Sequence, residues 1–221
     1  EFRRVLFRSF DYYDGIYTAG VDYDEYWKEN HDEDYYQFDP SNWHRRGSEW
    51  EYLASFEFFD YDQPYATLRQ NIGLRLNGGA SRSLPGKSLR LYAKNDPEKF
   101  SFDHKFFPDR EDDSFKRLLM RNGGQSWGRS LMHDGAVQAI CSGLNFHTQA
   151  YQPAVLYLNS EFWGIFNIRE RFDKYLIERN FGIDPDNVDY LEDQAEVKEG
   201  DDTHFIALID YLISNDMTDP A

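Results

Sequence analysis

The sequence predicts an α+β domain built on an antiparallel sheet. Three observations carry that expectation. Apolar and polar residues alternate in short stretches between Trp50 and Asn122, as half-buried strands require. Two apolar runs flank Asn159-Ser160, a pair suited to the tight turn of a hairpin. Between and after these strands lie three stretches with the apolar spacing of helices. No internal repeat is present, and antiparallel strands with inserted helices describe an α+β arrangement.

The elements follow in chain order. Residues 1–9, EFRRVLFRS, match the translation of a sequencing-adapter oligonucleotide letter for letter, and are set aside from the fold. The gene is then expected to be truncated at both ends. Residues 10–49 are dense in Asp, Glu and Tyr without a period, and read as an irregular acidic, aromatic arm with a turn at Asp14-Gly15. Their carboxylates lack the alternating pattern of an EF-hand, so a solvated acidic face is expected and no metal site. From Trp50 onward, "EYLASFEFFD" reads as a strand. "NIGLRLNG" is a second, with Ile72, Leu74 and Leu76 on one face and Arg75 on the other. "KSLRLYA" is a third, starting at Lys87, and its glycine-containing link to the second predicts an antiparallel pair with a long tip.

"FKRLLMRN" is a further short strand. "SLMHDGAVQAICSGLN" predicts a helix capped by Ser130, with Met132, Ala136, Ile140 and Leu144 as its buried face and Cys141 in the core. After the hairpin, "FDKYLIERNFG" is a helix ending near Gly182, and "DNVDYLE" a short strand. "THFIALIDYLISND" is a last helix, capped by Thr203 with Phe205, Ile209 and Leu212 as its core face. Trp127 and Trp163 either pack or, if exposed, bind glycans.

Composition narrows the partners. A net charge of −16 argues against nucleic acid and anionic membrane, and suits a basic protein or divalent cations. Aromatic residues at 18% exclude disorder. A single cysteine allows no internal disulfide, and no run of apolar residues is long enough to span a membrane. Against this acidity, Arg75, Arg82, Lys87 and Arg90 cluster around Gly78-Gly79, which points to a phosphate. Ser81 to Ser88 is one residue from a P-loop. Yet Ser81 replaces the first glycine, Pro85 removes an N–H donor, and a strand rather than a helix follows, so the P-loop is rejected.

Successive blocks of the chain resemble the CotH family, the spore coat protein H kinases and their relatives in large secreted bacterial proteins. They are "GLRLNGGASRSLPGKSLRLYA", "FKRLLMRNGG", "LMHDGAVQAI" and "QAYQPAVLYLNSEFWGIFNIRERFDKYLIERNFGIDPDNVDYLE". The resemblance runs from about Trp50 to Ala221. It implies an atypical protein-kinase-like fold over residues 50–221, with an antiparallel N-lobe sheet and an incomplete C-lobe. It implies an enzyme that uses ATP with Mg²⁺ or Mn²⁺ to phosphorylate Ser or Thr of a protein, a basic one by complementarity with the acidic surface. It also implies an extracellular or cell-surface location beside other secreted modules.

On that resemblance Lys87 is the phosphate lysine and Gly78 and Gly79 allow close backbone approach. Arg75, Arg82 and Arg90 become forks for phosphate, or else surface ion pairs. Asp134 and Glu170 orient Lys87, meet the nucleotide, or form structural ion pairs. The chain departs from the family at Pro85-Gly86-Lys87-Ser88, where P-K-K-S is usual, and at His133, where an arginine is usual. Blocks like N-D-W-x-x-N and D-x-D-F-G, which carry the family's catalytic and metal-binding aspartates, are not found; Asn215-Asp216 reads as a helix end. The polypeptide is therefore expected to be the N-terminal part of a kinase, inactive alone and poorly soluble. The alternative is a non-catalytic surface or adhesion module, or a pseudokinase, because fold does not establish chemistry.

Overall fold

A computed structural model describes residues 10–29, 40–94, 100–193 and 195–215. Residues 1–9 and Asp216 lie outside them. The chain divides into two compact units, one up to Arg171 and one from Phe172 onward.

The first unit contains α1 (Val21–Glu29), β1 (Tyr52–Phe58), β2 (Leu68–Leu76), β3 (Leu89–Tyr92), β4 (Phe102–Asp103) and β5 (Ser114–Phe115). It continues with β6 (Arg117–Arg121), α2 (His133–Cys141), β7 (Tyr151–Leu158) and β8 (Glu161–Glu170). Six strands form one sheet in the order β1-β2-β3-β6-β8-β7, every neighbouring pair antiparallel. The architecture is α+β, as the alternation predicts. The hairpin β7–β8 turns at Asn159 and Ser160, both with left-handed φ (52° and 68°), the backbone a two-residue turn between twisted strands demands.

Register sorts the side chains. Leu74 lies opposite Leu91, and Leu91 opposite Leu118; with Ile72, Leu76, Leu89, Met120, Phe166 and Ile168 they form one buried apolar face. Two covers close it. The β4–β5 ribbon brings Phe102, Phe106, Phe107 and Phe115, packed edge to face, as in the Phe106–Phe115 pair at 5.9 Å. Burying each such ring contributes about 1.5–3 kcal/mol. The second cover is the N-terminal arm, which buries Ile16 and packs Tyr17, Trp43 and Trp50 against the same core.

The arm therefore differs from the expected irregular surface segment. It contains α1, with Asp22 and Asp24 in the first turn where the helix dipole favours acids. Buried Asn42 ties it together, donating from Nδ2 to the carbonyls of Tyr13 and Gly15. Strand β3 starts at Leu89, two residues later than expected, because Lys87 turns its ammonium back into the preceding loop.

Helix α2 also departs from expectation. It starts at His133 with Met132 at the N-cap position; Ser130 sits in the turn before it and does not cap. Ala136, Met132, Ile140 and Leu144 are exposed, and Cys141 is half-buried rather than core. The helix presents Gly135 to the sheet instead, where a Cβ would overlap the ring of Tyr151. Close approach at a glycine, plus the ion pairs of Asp134, replaces apolar packing as the means of docking.

The second unit holds α3 (Lys174–Phe181), β9 (Tyr190–Glu192), β10 (Glu196–Glu199) and α4 (Thr203–Ser214), with β9 and β10 antiparallel. Asp173 caps α3, accepting from the N–H groups of Tyr175 and Leu176 at 3.0 and 3.3 Å, and Gly182 ends it with φ 67°. Thr203 is the first residue of α4, not its cap; Asp202 holds the N-cap position, and Asp201 accepts from the Thr203 N–H at 2.8 Å. Phe205, Ile209 and Leu212, expected in a core, are exposed. No described helix is long and apolar enough to cross a membrane.

Candidate functional site

The basic cluster is built from the loop Asn77–Ser88 and the strands it joins. Gly78 adopts φ 107°, and a Cβ there would overlap the hydroxyl of Ser81, so this position requires glycine. Gly79 is exposed with open space around its Cα. A short 3₁₀ turn, Ala80–Ser83, then swings Arg82 inward to 4% exposure. Its Nε donates to Gly78 O (2.7 Å), Nη1 to Trp43 O and Arg45 O (3.1 and 2.8 Å), and Nη2 to Leu76 O (2.8 Å). One guanidinium thus cross-links the arm, the loop and β2. Burial, followed by Arg46 and Arg90, lowers its pKa to about 10, which leaves it charged at neutral pH.

Lys87 is 5% exposed. Its Nζ donates to Arg82 O (2.6 Å) and Leu84 O (3.2 Å) and lies 4.2 Å from the centroid of Trp43. Burial pushes the ammonium down to about 8, against two carbonyls and an aromatic face that favour the charged form. Beside it, Ser88 and Asn122 bond reciprocally, and Asn122 Nδ2 donates to Gly86 O, which fastens the loop to the end of β6.

Arg75 and Arg90 lie directly opposite each other on β2 and β3 and point to the polar face of the sheet. Arg75 donates from Nε to Glu51 at 2.7 Å and stacks on Tyr92, with 4.9 Å from guanidinium carbon to ring centroid. Arg90 donates from Nε to Asn77 Oδ1 at 2.7 Å; burial, then Arg171, lowers its pKa. Both arginines, with Arg45, Arg46 and Arg82, line a cleft of about 60 Å³ whose other walls are Ile16, Gly47, Trp50 and Leu76. Five arginines line it and no acidic residue does; Arg75 and Arg45 meet their carboxylates, Glu51 and Asp22, outside the lining.

The structure thus brings Arg75, Arg82 and Arg90 together, with Gly78 bonded to the Arg82 guanidinium and Lys87 to the Arg82 carbonyl. Asp134 joins Arg121 and Arg169 rather than Lys87: its Oδ2 accepts from Arg121 Nη1 at 2.9 Å and from Arg169 Nη1. Arg169 is fully buried, so this pair anchors α2 on the sheet. Glu170 is also buried and accepts from the Ala150 N–H at 2.9 Å. Trp163 packs against Phe10 and Tyr17, and Trp127 is partly exposed.

Sequence reasoning missed Arg45, Arg46, Arg121 and Arg169. The dibasic Arg45-Arg46 was a visible signal inside an acidic arm; Arg169 became meaningful only through register. Among the described residues, Asp189, Asp201 and His204 of the second unit have metal-ligand proximity. All three are exposed, and the two carboxylates already cap backbone N–H groups of Asp201 and Thr203.

Fold and site together define an α+β domain that gathers arginines around a glycine turn at one end of an antiparallel sheet. The CotH kinase protein family matches residues 74–219, more than half of the chain, and the chain belongs to that family. The match contains Arg75, Arg82, Lys87, Arg90, Asp134 and Glu170, whereas Arg45 and Arg46 precede it. No curated protein matches the chain.

Proposed function

We propose that the chain is the nucleotide-contacting part of a CotH-type protein kinase, which transfers the γ-phosphate of ATP to Ser or Thr of a protein. The observation that carries this reading is the convergence of Arg75, Arg82 and Arg90 on one cleft, within the family match, in a protein of net charge −16. Phosphoryl transfer is mostly positioning and charge neutralisation, which guanidinium forks beside a glycine turn supply. In this reading Gly78 and Gly79 let the backbone approach, Arg75 and Arg90 face phosphate oxygens, and Arg82 holds the walls. Lys87 serves as the phosphate lysine only by exchanging its carbonyl bonds for phosphate.

A further feature in keeping with a kinase-like arrangement is the Asp134–Arg169 pair, which ties α2 to the sheet. A divalent ion, Mg²⁺ or Mn²⁺, would neutralise phosphate charge, but the arginine cleft offers it no carboxylate ligand. Nucleotide contact is the part of the transfer reaction which the arginine cleft supports. A basic protein substrate, an extracellular or cell-surface setting and neighbouring secreted modules complete the reading.

Titration with ATP and Mg²⁺ tests it. Binding that Lys87→Ala abolishes supports the kinase reading with Lys87 as phosphate lysine; binding that survives it shifts the contact to the arginines. Exposed rings such as Tyr13, Tyr61 and Tyr65 favour a second reading, a non-catalytic surface module, and absence of ATP binding in the wild type selects that one.

A further inference from the structure

The cleft is too small to enclose a whole nucleotide, though not one of its phosphates. Pockets that enclose nucleotide-sized ligands run to about 300–1,000 Å³, against about 60 Å³ here. That space suits one tetrahedral oxyanion. We propose that the cleft is a binding site for a single phosphate monoester group, gripped by Arg46, Arg75 and Arg90 and shaped by Arg82. In sharing Arg75, Arg82 and Arg90, this site rests on the reading above, but it requires neither a base nor a metal.

The roles follow from the donors each guanidinium has left. Arg82 spends its Nε, Nη1 and Nη2 on four carbonyls, so it contributes charge and rigidity rather than direct contact. Arg45 is engaged with Asp22 and lies over Trp50. Arg75 and Arg90 are each fixed through Nε, to Glu51 and Asn77, and both also meet Tyr92, Arg75 by stacking and Arg90 by a hydrogen bond, which orients the guanidinium groups and leaves further N–H donors on each. Arg46 is exposed at the rim. Such an arrangement is costly without an anion: burial, then Arg46 and Arg90, lowers the pKa of Arg82, and burial, then Arg171 and to a lesser degree Arg46, lowers that of Arg90. A dianion would relieve that repulsion, and bidentate guanidinium–phosphate geometry suits it. Trp50 and Ile16 wall one side, which limits water and strengthens the charge interaction.

Calorimetric titration of the whole chain with inorganic phosphate, against sodium chloride at equal ionic strength, tests the site. Phosphate should bind and raise the melting temperature. Arg46→Gln, at an exposed position, and Arg90→Gln should each weaken phosphate about tenfold or more, the loss of one charge-assisted contact, with an unchanged far-UV spectrum. No response beyond that to chloride, or undiminished binding in both variants, overturns the site. Titrations with O-phosphoserine and with ATP separate the sources. O-phosphoserine binding as well as phosphate supports a phosphorylated side chain as occupant, and ATP displacing phosphate supports a nucleotide's terminal phosphate. ATP binding without any phosphate binding overturns the site while leaving the kinase reading standing; phosphate binding that ATP never disturbs does the reverse.

Discussion

Arg82 shows what a buried charge does when it is fully bonded. Its guanidinium holds four carbonyls from three segments, so Arg82→Met leaves those acceptors without their donor in a dry setting. The expected loss is about 3 kcal/mol or more in urea unfolding, and Arg82→Lys should rescue little, because an ammonium cannot span the fork. Lys87 gives a pH signature. Its folded pKa is about 8, below the ordinary 10.5, so between those values the unfolded chain binds the extra proton. Stability from this group is therefore lowest below about pH 8 and rises as pH climbs toward 10.5, by on the order of 3 kcal/mol. Comparing wild type with Lys87→Met between pH 7 and 10 isolates it: the wild type should gain relative to the variant. Equal pH profiles would mean that the carbonyls and Trp43 hold the ammonium near its usual pKa.

At the scale of elements, α2 is the informative case. Its apolar spacing was legible, and the spacing pointed to the wrong face, because the pattern counts hydrophobicity and not fit. Gly135 lets the helix lie on Tyr151, and Asp134 then meets Arg121 and the buried Arg169. Asp134→Ala strands a buried guanidinium and should cost roughly 2–4 kcal/mol, read as a lowered denaturation midpoint. Gly135→Val forces side chain into ring and should destabilise by roughly 1–3 kcal/mol; a neutral result would show that α2 can slide. The hairpin β7–β8, the αL end of α3 at Gly182 and the strands β1, β2 and β6 were legible, since turn chemistry and period-two alternation are local. The start of β3 and the caps of α2 and α4 were not, since each depends on where one side chain finds its partner.

For the whole molecule, charge and exposed apolar surface act against each other. A net charge of −16 keeps copies apart at neutral pH, while Ile140, Phe162, Ile206 and Ile213 stand exposed. Light scattering should therefore show self-association as pH falls toward the sequence isoelectric point of about 4.7, and at neutral pH as salt screens the repulsion. Scattering that stays flat across both ranges would mean that these side chains are covered in solution.

By itself, the sequence determined the α+β class, the family, the net acidity, and the basic cluster at residues 75–90. These depend on composition, local period and ordered motifs, all of which are carried along the chain. Only the tertiary structure decided that Arg45 and Arg46 of the arm join Arg75, Arg82 and Arg90, that Lys87 faces carbonyls and Trp43, and that Asp134 serves the helix–sheet contact. The reason is physical: a charged side chain chooses its partner by distance and desolvation, and both are set by strand register and by the folding of the arm onto the core.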